Sequence, residues 1–554
     1  MKRKSFRLIT LVICVVVSLL LYSRSLSAEF VSDDWDWLSI ARDRQTVMPD
    51  LLVNYAGDRS GGSYNPVSSL WVNALFVVFG AQSLPFHVAS ALLNGMNAWL
   101  VTLIAYRILC LRHHENERKQ RGISLFAGFI FLVWPTHVEA VAWLASVPHL
   151  LAALFFLASL YWFIEWYTRG TRVHLVLSVF SALLAFMSKE SAILLPFIFL
   201  AFVLWFRAAG TKQKQGSTVR VFVAYFFSAI AFGFLRFAAT GVVFGSYAEP
   251  SFIVRPLTWL HTGLTFFEEM LTMGFGRAAW SAAFFTNPMK IGIFAVVVAL
   301  LVCGYVWEKS KDGFFFLICF FLSLVPFIPL GFNRIVSDGE RYTYLPSVFF
   351  LIALSCLLSS RRKRIMIMTG IFIFAIATFA TVQRSGYWRE AGSLAAMIIR
   401  ETSEQEARAP ESEFVFILAP DTVNGAHVLR NGLAQALSFR SPEIEHSVHV
   451  VPVYISAPSD RADKDTISWQ SDERGFFAES ADPAVRIVGR DREVTERFTY
   501  ELWGYDYSNF TSGTLRLIFT DVFRQQLLAR ETTLLTWDAG HVVPLLYPLP
   551  TRYD

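Results

Sequence analysis

Phe30-Val31-Ser32-Asp33-Asp34-Trp35-Asp36-Trp37 follows closely on an apolar run from Leu8 to Tyr22. Two adjacent carboxylates and two tryptophans therefore stand where a membrane helix would meet water, the depth at which aromatic belts form. Carboxylates at that depth are costly unless they are paired or functional. The composition agrees with a membrane setting. The 554 residues are 54% hydrophobic and 17% charged, and 52 of them are Phe. Soluble domains carry about 25% charged residues. With a mean hydropathy of +0.44, the chain reads as a polytopic α-helical membrane protein. The net charge of +5 is modest, and no nucleic acid is expected as a partner. Its distribution matters more, because Lys and Arg set topology.

Outward from the motif, residues 1–28 carry a basic start, Lys2-Arg3-Lys4, before the apolar run. They read as an uncleaved signal anchor, with a cleaved signal peptide as the alternative. Residues 29–83 form a first outer loop. It contains the turn-rich Tyr55-Ala-Gly-Asp58-Arg59-Ser-Gly-Gly-Ser-Tyr64-Asn65-Pro66. The apolar run Val67–Phe79 is short for a span and is expected to lie at the interface. Spans are expected at roughly 84–110, 122–135, 149–167, 173–188, 190–207, 220–240, 289–307, 313–331, 342–360 and 365–383, about 11 helices with the first. Basic linkers alternate along this series: Arg112 to Arg121, Arg169/Arg172, Arg207 to Arg220, Lys309/Lys311 and Arg361 to Arg364. Placing them inside puts the N-terminus in the cytoplasm and the C-terminus outside. The core then covers 84–385. Residues 395–554 turn polar, with short β-branched runs such as Phe414–Leu418 and Leu515–Phe519. They read as an extracytoplasmic α/β domain. Asn509-Phe510-Thr511 is a glycosylation sequon of the kind expected once by chance in a long chain.

Five cysteines, Cys14, Cys110, Cys303, Cys319 and Cys356, lie in or beside apolar runs. That placement gives neither a disulfide framework nor a metal-binding pair. No Walker loop, dinucleotide fingerprint or H-E-x-x-H occurs, so a soluble nucleotide-sugar fold is not indicated.

The topology gathers ionisable residues on one face: Asp33/Asp34, Arg59, His137/Glu139, His149, Lys189/Glu190, Glu268/Glu269, Glu340/Arg341 and Arg389. Asp33 or Asp34 can act as a general base, because an inverting sugar transfer needs a carboxylate to accept the acceptor's proton. The plain alternative is a polar helix end between tryptophans. Pro135 should end a helix and leave His137 and Glu139 in a short loop, where they could share a metal with His149 or simply bond within the loop. Lys189-Glu190 reads as a tight turn or a charged element in a cavity, with Lys189 a credible phosphate partner. Arg341 is the first choice for a phosphate, against a salt bridge to Glu340 or Asp338. His87, Asn94 and Asn97 share a helix face and suit bonding between helices.

Several of these segments occur together in a known order. They are Phe30–Asp34, Tyr64-Asn-Pro66 with Phe86–Asn94, Trp134-Pro-Thr-His-Val-Glu-Ala-Val-Ala-Trp143, Met187-Ser-Lys-Glu190, Glu340-Arg-Tyr-Thr-Tyr-Leu-Pro346 and Trp388-Arg-Glu390. In this the chain resembles the GT-C membrane glycosyltransferases, and within them the TMTC-type protein O-mannosyltransferases and their bacterial relatives. The resemblance covers about residues 28–395. It implies a multispan enzyme whose acidic motif, here Asp33 and Asp34, holds the catalytic base. It implies a polyprenyl-phosphate sugar donor, undecaprenyl-linked in a bacterium and dolichyl-linked in a eukaryote, with an active site on the outer face. Arg341, Lys189 and Arg59 would meet the donor phosphate, and His137, Glu139, Glu190, Glu340 and His149 would support them. A divalent metal (Mg or Mn) at Asp33 and Asp34 is left open.

The chain departs from the family at Asn65, where Arg is usual, and at Glu340, where Asp is usual. It also lacks the tetratricopeptide repeats that often follow the membrane part. The expected partners are the lipid-linked donor, membrane lipids and an extracytoplasmic acceptor of open class (protein, glycan or lipid), and the expected setting is a bacterial inner membrane. The rival readings are a flippase or transporter for lipid-linked saccharides, a ligase acting on them, and a non-catalytic scaffold.

Overall fold

The computed structural model describes residues 3–44, 46–48, 51–55, 57, 62–112, 117–208, 210, 218–242, 256–274, 310–330, 339–359, 363–409, 412–440, 448–451, 453–457, 467–482, 485–489, 492–503, 513–538, 540–545 and 547. The expected span at 289–307, Arg59, Asp338 and the sequon at Asn509 lie outside them. Two compact units are present. The first comprises Met1–Leu26, Ile40–Arg334 and Asp338–Ser385, and the second Ser27–Ser39, Ile335–Ser337 and Gly386–Asp554.

The first unit is helical. Its helices are α1 (Arg3–Leu21), α2 (Asp34–Arg44, which begins in the second unit), α3 (Pro66–Phe79), α4 (Ser83–Arg112), α5 (Glu117–Leu132), α6 (Val138–Ala142), α7 (Val147–Arg169), α8 (Arg172–Ser188), α9 (Leu195–Ala208), α10 (Thr218–Thr240), α11 (Pro256–Thr272), α12 (Lys311–Leu324), α13 (Tyr344–Ser359) and α14 (Lys363–Arg408). Among the described residues six helical segments are long and apolar enough to cross a membrane, and a seventh is reached if the pair Glu117–Leu132 and Pro135–Ala142, bent by 49°, is one span. The chain is thus an integral membrane protein.

This count covers the described residues, which leave out the expected span at 289–307. The apolar parts of α1 and α8 are shorter than a full span, and α12 stops at Leu324 before a 3-10 turn at Ile328–Leu330. At 1.5 Å per residue the 14 residues of α3 reach about 21 Å, less than a hydrocarbon core of about 30 Å.

Helix α4 runs beside α1, α5 and α7. Close approach is possible where side chains vanish. A Cβ on Gly95 would sit 2.8 Å from the Cα of Val15, and one on Gly128 would sit 2.8 Å from the carbonyl oxygen of Ala98. Small residues play this part between membrane helices because lipid gives no hydrophobic drive to pair them. Several polar groups inside bond between helices. Asn94 donates to Ser18 at 3.2 Å, the Tyr344 hydroxyl donates to Asn94 at 2.8 Å, and Asn97 donates to the carbonyl of Leu150 at 3.1 Å. Ser178 lies 2.6 Å from the Tyr225 hydroxyl and donates to the Ser159 carbonyl, tying α7, α8 and α10 together. Large apolar side chains such as Phe227, Phe234, Met368 and Phe372 are exposed on α10 and α14, which suits surfaces facing lipid.

The second unit takes the C-terminal half of α14 and the strands that follow. The expected boundary between 385 and 395 falls inside this one helix, because its apolar stretch passes into a polar one without a Gly–Pro break. Strands β1 (Glu413–Ile417), β2 (Ala419–Val423), β3 (Ala426–His427), β4 (Val448–Val450), β5 (Val453–Ala457), β6 (Ile467–Asp472), β7 (Gly475–Ser480), β8 (Arg486–Gly489), β9 (Arg492–Val494), β10 (Phe498–Trp503), β11 (Thr514–Phe519), β12 (Thr532–Asp538) and β13 (His541–Leu545) form three sheets. Their orders are β13-β12-β1-β4, β3-β2-β5-β8 and β6-β7-β11-β10-β9. Parallel pairs β1–β12 and β2–β5 sit in the first two, and the third is antiparallel. Buried strands such as β1 read as continuous apolar runs, while β11 alternates. Helices α15 (Leu433–Arg440) and α16 (Asp521–Leu528) complete the unit. Residues Ser27–Ser39, expected as part of a first loop, belong to it.

Candidate functional site

Within the second unit, the acidic motif starts α2 and separates its three carboxylates by environment. Asp34 is fully buried, and its Oδ2 accepts from the Val31 N–H at 3.0 Å. That bond closes the turn entering α2, where Ser32 adopts φ 47°. A carboxylate at a helix start also meets the positive end of the helix dipole. Asp34 is thereby a framework group.

Asp33 is only half buried. Its Oδ1 accepts from the Asn431 side chain at 2.7 Å and from the Ser32 hydroxyl at 3.4 Å. Its Oδ2 has no protein partner among the described residues. Asp36, one helical turn on, is half buried too. Burial, and then the charge of Asp33, push its carboxyl up to about 7.

This shift has a consequence for stability. Folded Asp36 binds its proton more tightly than the unfolded chain does. Its stabilising contribution is present at low pH and is lost as the pH rises from the ordinary carboxylate range through about 7. Asp36→Asn should therefore gain on wild type between about pH 5 and about pH 8. Thermal unfolding at the two pH values checks this, and an unchanged or opposite difference would refute it.

The segment facing Asp33 is held by its own bonds. Val428 accepts from the Ser32 N–H at 2.8 Å. Arg430 is gripped by the buried Asp421 through two bonds, at 2.7 and 3.0 Å. Gly432 has φ +85°, and a Cβ there would lie 2.3 Å from the Ser32 carbonyl oxygen, so both conformation and space require glycine.

Within the first unit, the remaining expected residues form a chain of ion pairs. Glu139 is completely buried on α6 and does not lie in a loop. It accepts the Arg341 backbone N–H at 2.7 Å and pairs with the Arg341 guanidinium. Gly339, in the left-handed region at φ 106°, opens the 3-10 turn Glu340–Thr343 that presents this N–H. The guanidinium also lies over the rings of Trp143 at 5.0 Å and Tyr342 at 4.6 Å, a favourable arrangement for a cation. Arg341 thus pairs with Glu139; Asp338, the other partner expected for it, lies outside the described residues. Glu340 instead accepts from Arg384 at 2.7 Å.

His137, fully buried, sits 2.7 Å from the Ser347 hydroxyl. His149 rests against Tyr342, with ring centroids 5.6 Å apart. The metal site weighed for His137, Glu139 and His149 does not form, since each turns to a different partner. No group of three or more His, Cys, Asp or Glu side chains is placed to hold a metal among the described residues. At the acidic pair, Asp33 Oδ1 is taken by the Asn431 amide and Asp34 Oδ2 by the Val31 N–H.

Lys189 caps α8 in extended conformation, and its ammonium is 3.9 Å from Glu190. Glu190 is held more closely by Arg236, at 2.6 Å. The charges of Lys189 and Arg341 both act on His149. The α8–α9 corner and the turn before α13 are therefore electrostatic neighbours. Asp36, Asn431, Arg236 and Arg384 were not singled out in the sequence. Asp36 alone carried a local signal, its spacing of three from Asp33.

Protein comparisons add a likeness carried by sequence. The chain is 29% identical over 188 residues to the protein O-mannosyl-transferase Tmtc1 of Drosophila melanogaster, covering 32% of this chain and 21% of that one. It is 22% identical over 422 residues to the protein O-mannosyl-transferase F38B6.6 of Caenorhabditis elegans, covering 71% of this chain and 58% of that one. The chain resembles the TMTC-type protein O-mannosyltransferases. It spans about a fifth of the length of the fly relative. No family model matches it. Among solved structures, ArnT from Cupriavidus metallidurans in the apo state is similar at 14% identity and a TM-score of 0.41, covering 83% of this chain and 96% of that one.

Proposed function

We propose that the chain is an inverting membrane glycosyltransferase of GT-C type that moves a sugar from a polyprenyl-phosphate donor to an extracytoplasmic acceptor. Its setting on this reading is a bacterial inner membrane, with the N-terminus in the cytoplasm. The observation that carries the reading is the half-exposed Asp33, with Oδ1 occupied by Asn431 and Oδ2 left to take a proton. Asp33 is the base, and Asp34 holds the turn that presents it. The acceptor O–H proton passes to Oδ2 of Asp33. The acceptor oxygen bonds to the anomeric carbon as the bond from that carbon to the phosphate oxygen breaks, and polyprenyl phosphate leaves with the electron pair.

The leaving phosphate gains negative charge, so a fixed cation lowers the barrier. Lys189 is the better choice for that role. Its contact with Glu190 is long, whereas Arg341 is committed to Glu139 and two aromatic rings. Arg341 then serves as framework, with His149, Glu190 and Glu340 supporting the charge balance.

The test is a transfer assay on purified protein in lipid. Radiolabelled undecaprenyl-phosphate sugars are supplied with membrane extract, and products are separated into lipid, glycan and protein fractions. Label should leave the polyprenyl phosphate and appear in one fraction, which names the acceptor class. Binding of donor and its movement across vesicles without any turnover would replace this reading with a transporter.

A further inference from the structure

We infer that Asn431, contributed from 398 positions further along the chain, is a positioning residue for Asp33. The inference rests on the reading of Asp33 as base. Four observations converge on it. The Asn431 side-chain amide donates to Asp33 Oδ1 at 2.7 Å. Its backbone N–H donates to the Ser32 hydroxyl at 3.4 Å, and that hydroxyl reaches the same Oδ1. The Ser32 N–H in turn donates to Val428, three residues before Asn431. Gly432 brings the loop so close to the Ser32 carbonyl that no side chain fits. With Arg430 bound by Asp421 on the strand before it, the loop 428–432 is a preset cradle for the acidic turn.

The cradle orients the base. An amide donor on Oδ1 fixes the carboxylate plane and leaves Oδ2 for the acceptor proton. The neighbouring carboxylates Asp34 and Asp36 lie on the same segment. Arg430 and Asp421 on the facing loop and strand satisfy each other. On α14, Gly392 packs against the Glu29 backbone, with Arg389 and Glu390 just before it. Asn431 therefore holds Asp33 in one orientation beside Asp36. The structure assigns to the C-terminal unit a direct part in setting the base.

The experiment compares wild type, Asp33→Asn, Asn431→Ala and the isosteric Asn431→Asp in the transfer assay. Asn431→Ala should lose roughly 10- to 100-fold in kcat with donor KM unchanged. Asn431→Asp, which keeps the shape and replaces the donor by a second carboxylate, should lose at least as much in kcat, and it keeps the test decisive if the alanine variant fails to fold. A kcat that stays in place in both variants, while Asp33→Asn is inactive, overturns the inference and leaves Asp33 as base. Activity retained in Asp33→Asn overturns the base assignment itself.

Discussion

Asp33→Asn should lower the single-turnover rate of sugar transfer by roughly 100- to 10,000-fold, the range supplied by a positioned general base, with little change in stability. The side chain is half exposed, and an asparagine there keeps an oxygen to accept from Asn431. What it loses is the capacity to take a proton. Asp34→Asn should behave in the opposite way. Asp34 is fully buried and its Oδ2 closes the turn through the Val31 N–H. Placing an amide N–H₂ in that pocket leaves a buried polar group badly matched, at a cost of about 1–3 kcal/mol, while the base remains present. Rapid-quench turnover and thermal unfolding on the same preparations separate the two outcomes. Full turnover in Asp33→Asn, or loss of turnover in a well-folded Asp34→Asn, would reverse the assignment.

Glu139→Ala should be among the most destabilising single substitutions in the helical unit, at about 3–5 kcal/mol. The carboxylate is completely buried and answers both the backbone and the side chain of Arg341. Removing it takes from a largely buried guanidinium the carboxylate that answers it. Replacing both partners together, as Glu139→Ala with Arg341→Met, should recover much of the loss, because the cation is removed along with its partner. Thermal unfolding of the two single variants and the double variant in one detergent measures this coupling. A single Glu139→Ala variant as stable as wild type would show that the pair carries no weight in the fold.

These two expectations mark where sequence reasoning reached and where it stopped. The acidic stretch Asp33-Asp34 stood out because charge beside an apolar run is expensive. The apolar runs placed α4, α7, α10 and α13 with small shifts at their ends. The bent segment around Pro135 was read as a loop, since proline ends a helix locally. The structure instead buries it as a 3-10 turn and the short helix α6, with His137 and Glu139 bonded to Ser347 and Arg341.

Local pattern by itself determined that this chain enters a membrane, that its polar C-terminal part carries strands, and that ionisable residues recur at helix ends. Hydropathy and periodicity are sums over neighbours, so they survive without any knowledge of folding. Only the tertiary structure decided which charge answers which. Glu139 meets Arg341 across 202 positions and Asp33 meets Asn431 across 398. Two adjacent aspartates look alike in a sequence, and burial of one and partial exposure of the other part them. Asp33 also meets Asn431 from a loop far along the chain, and desolvation and hydrogen bonding depend on what arrives in space as well as on what lies next along the backbone.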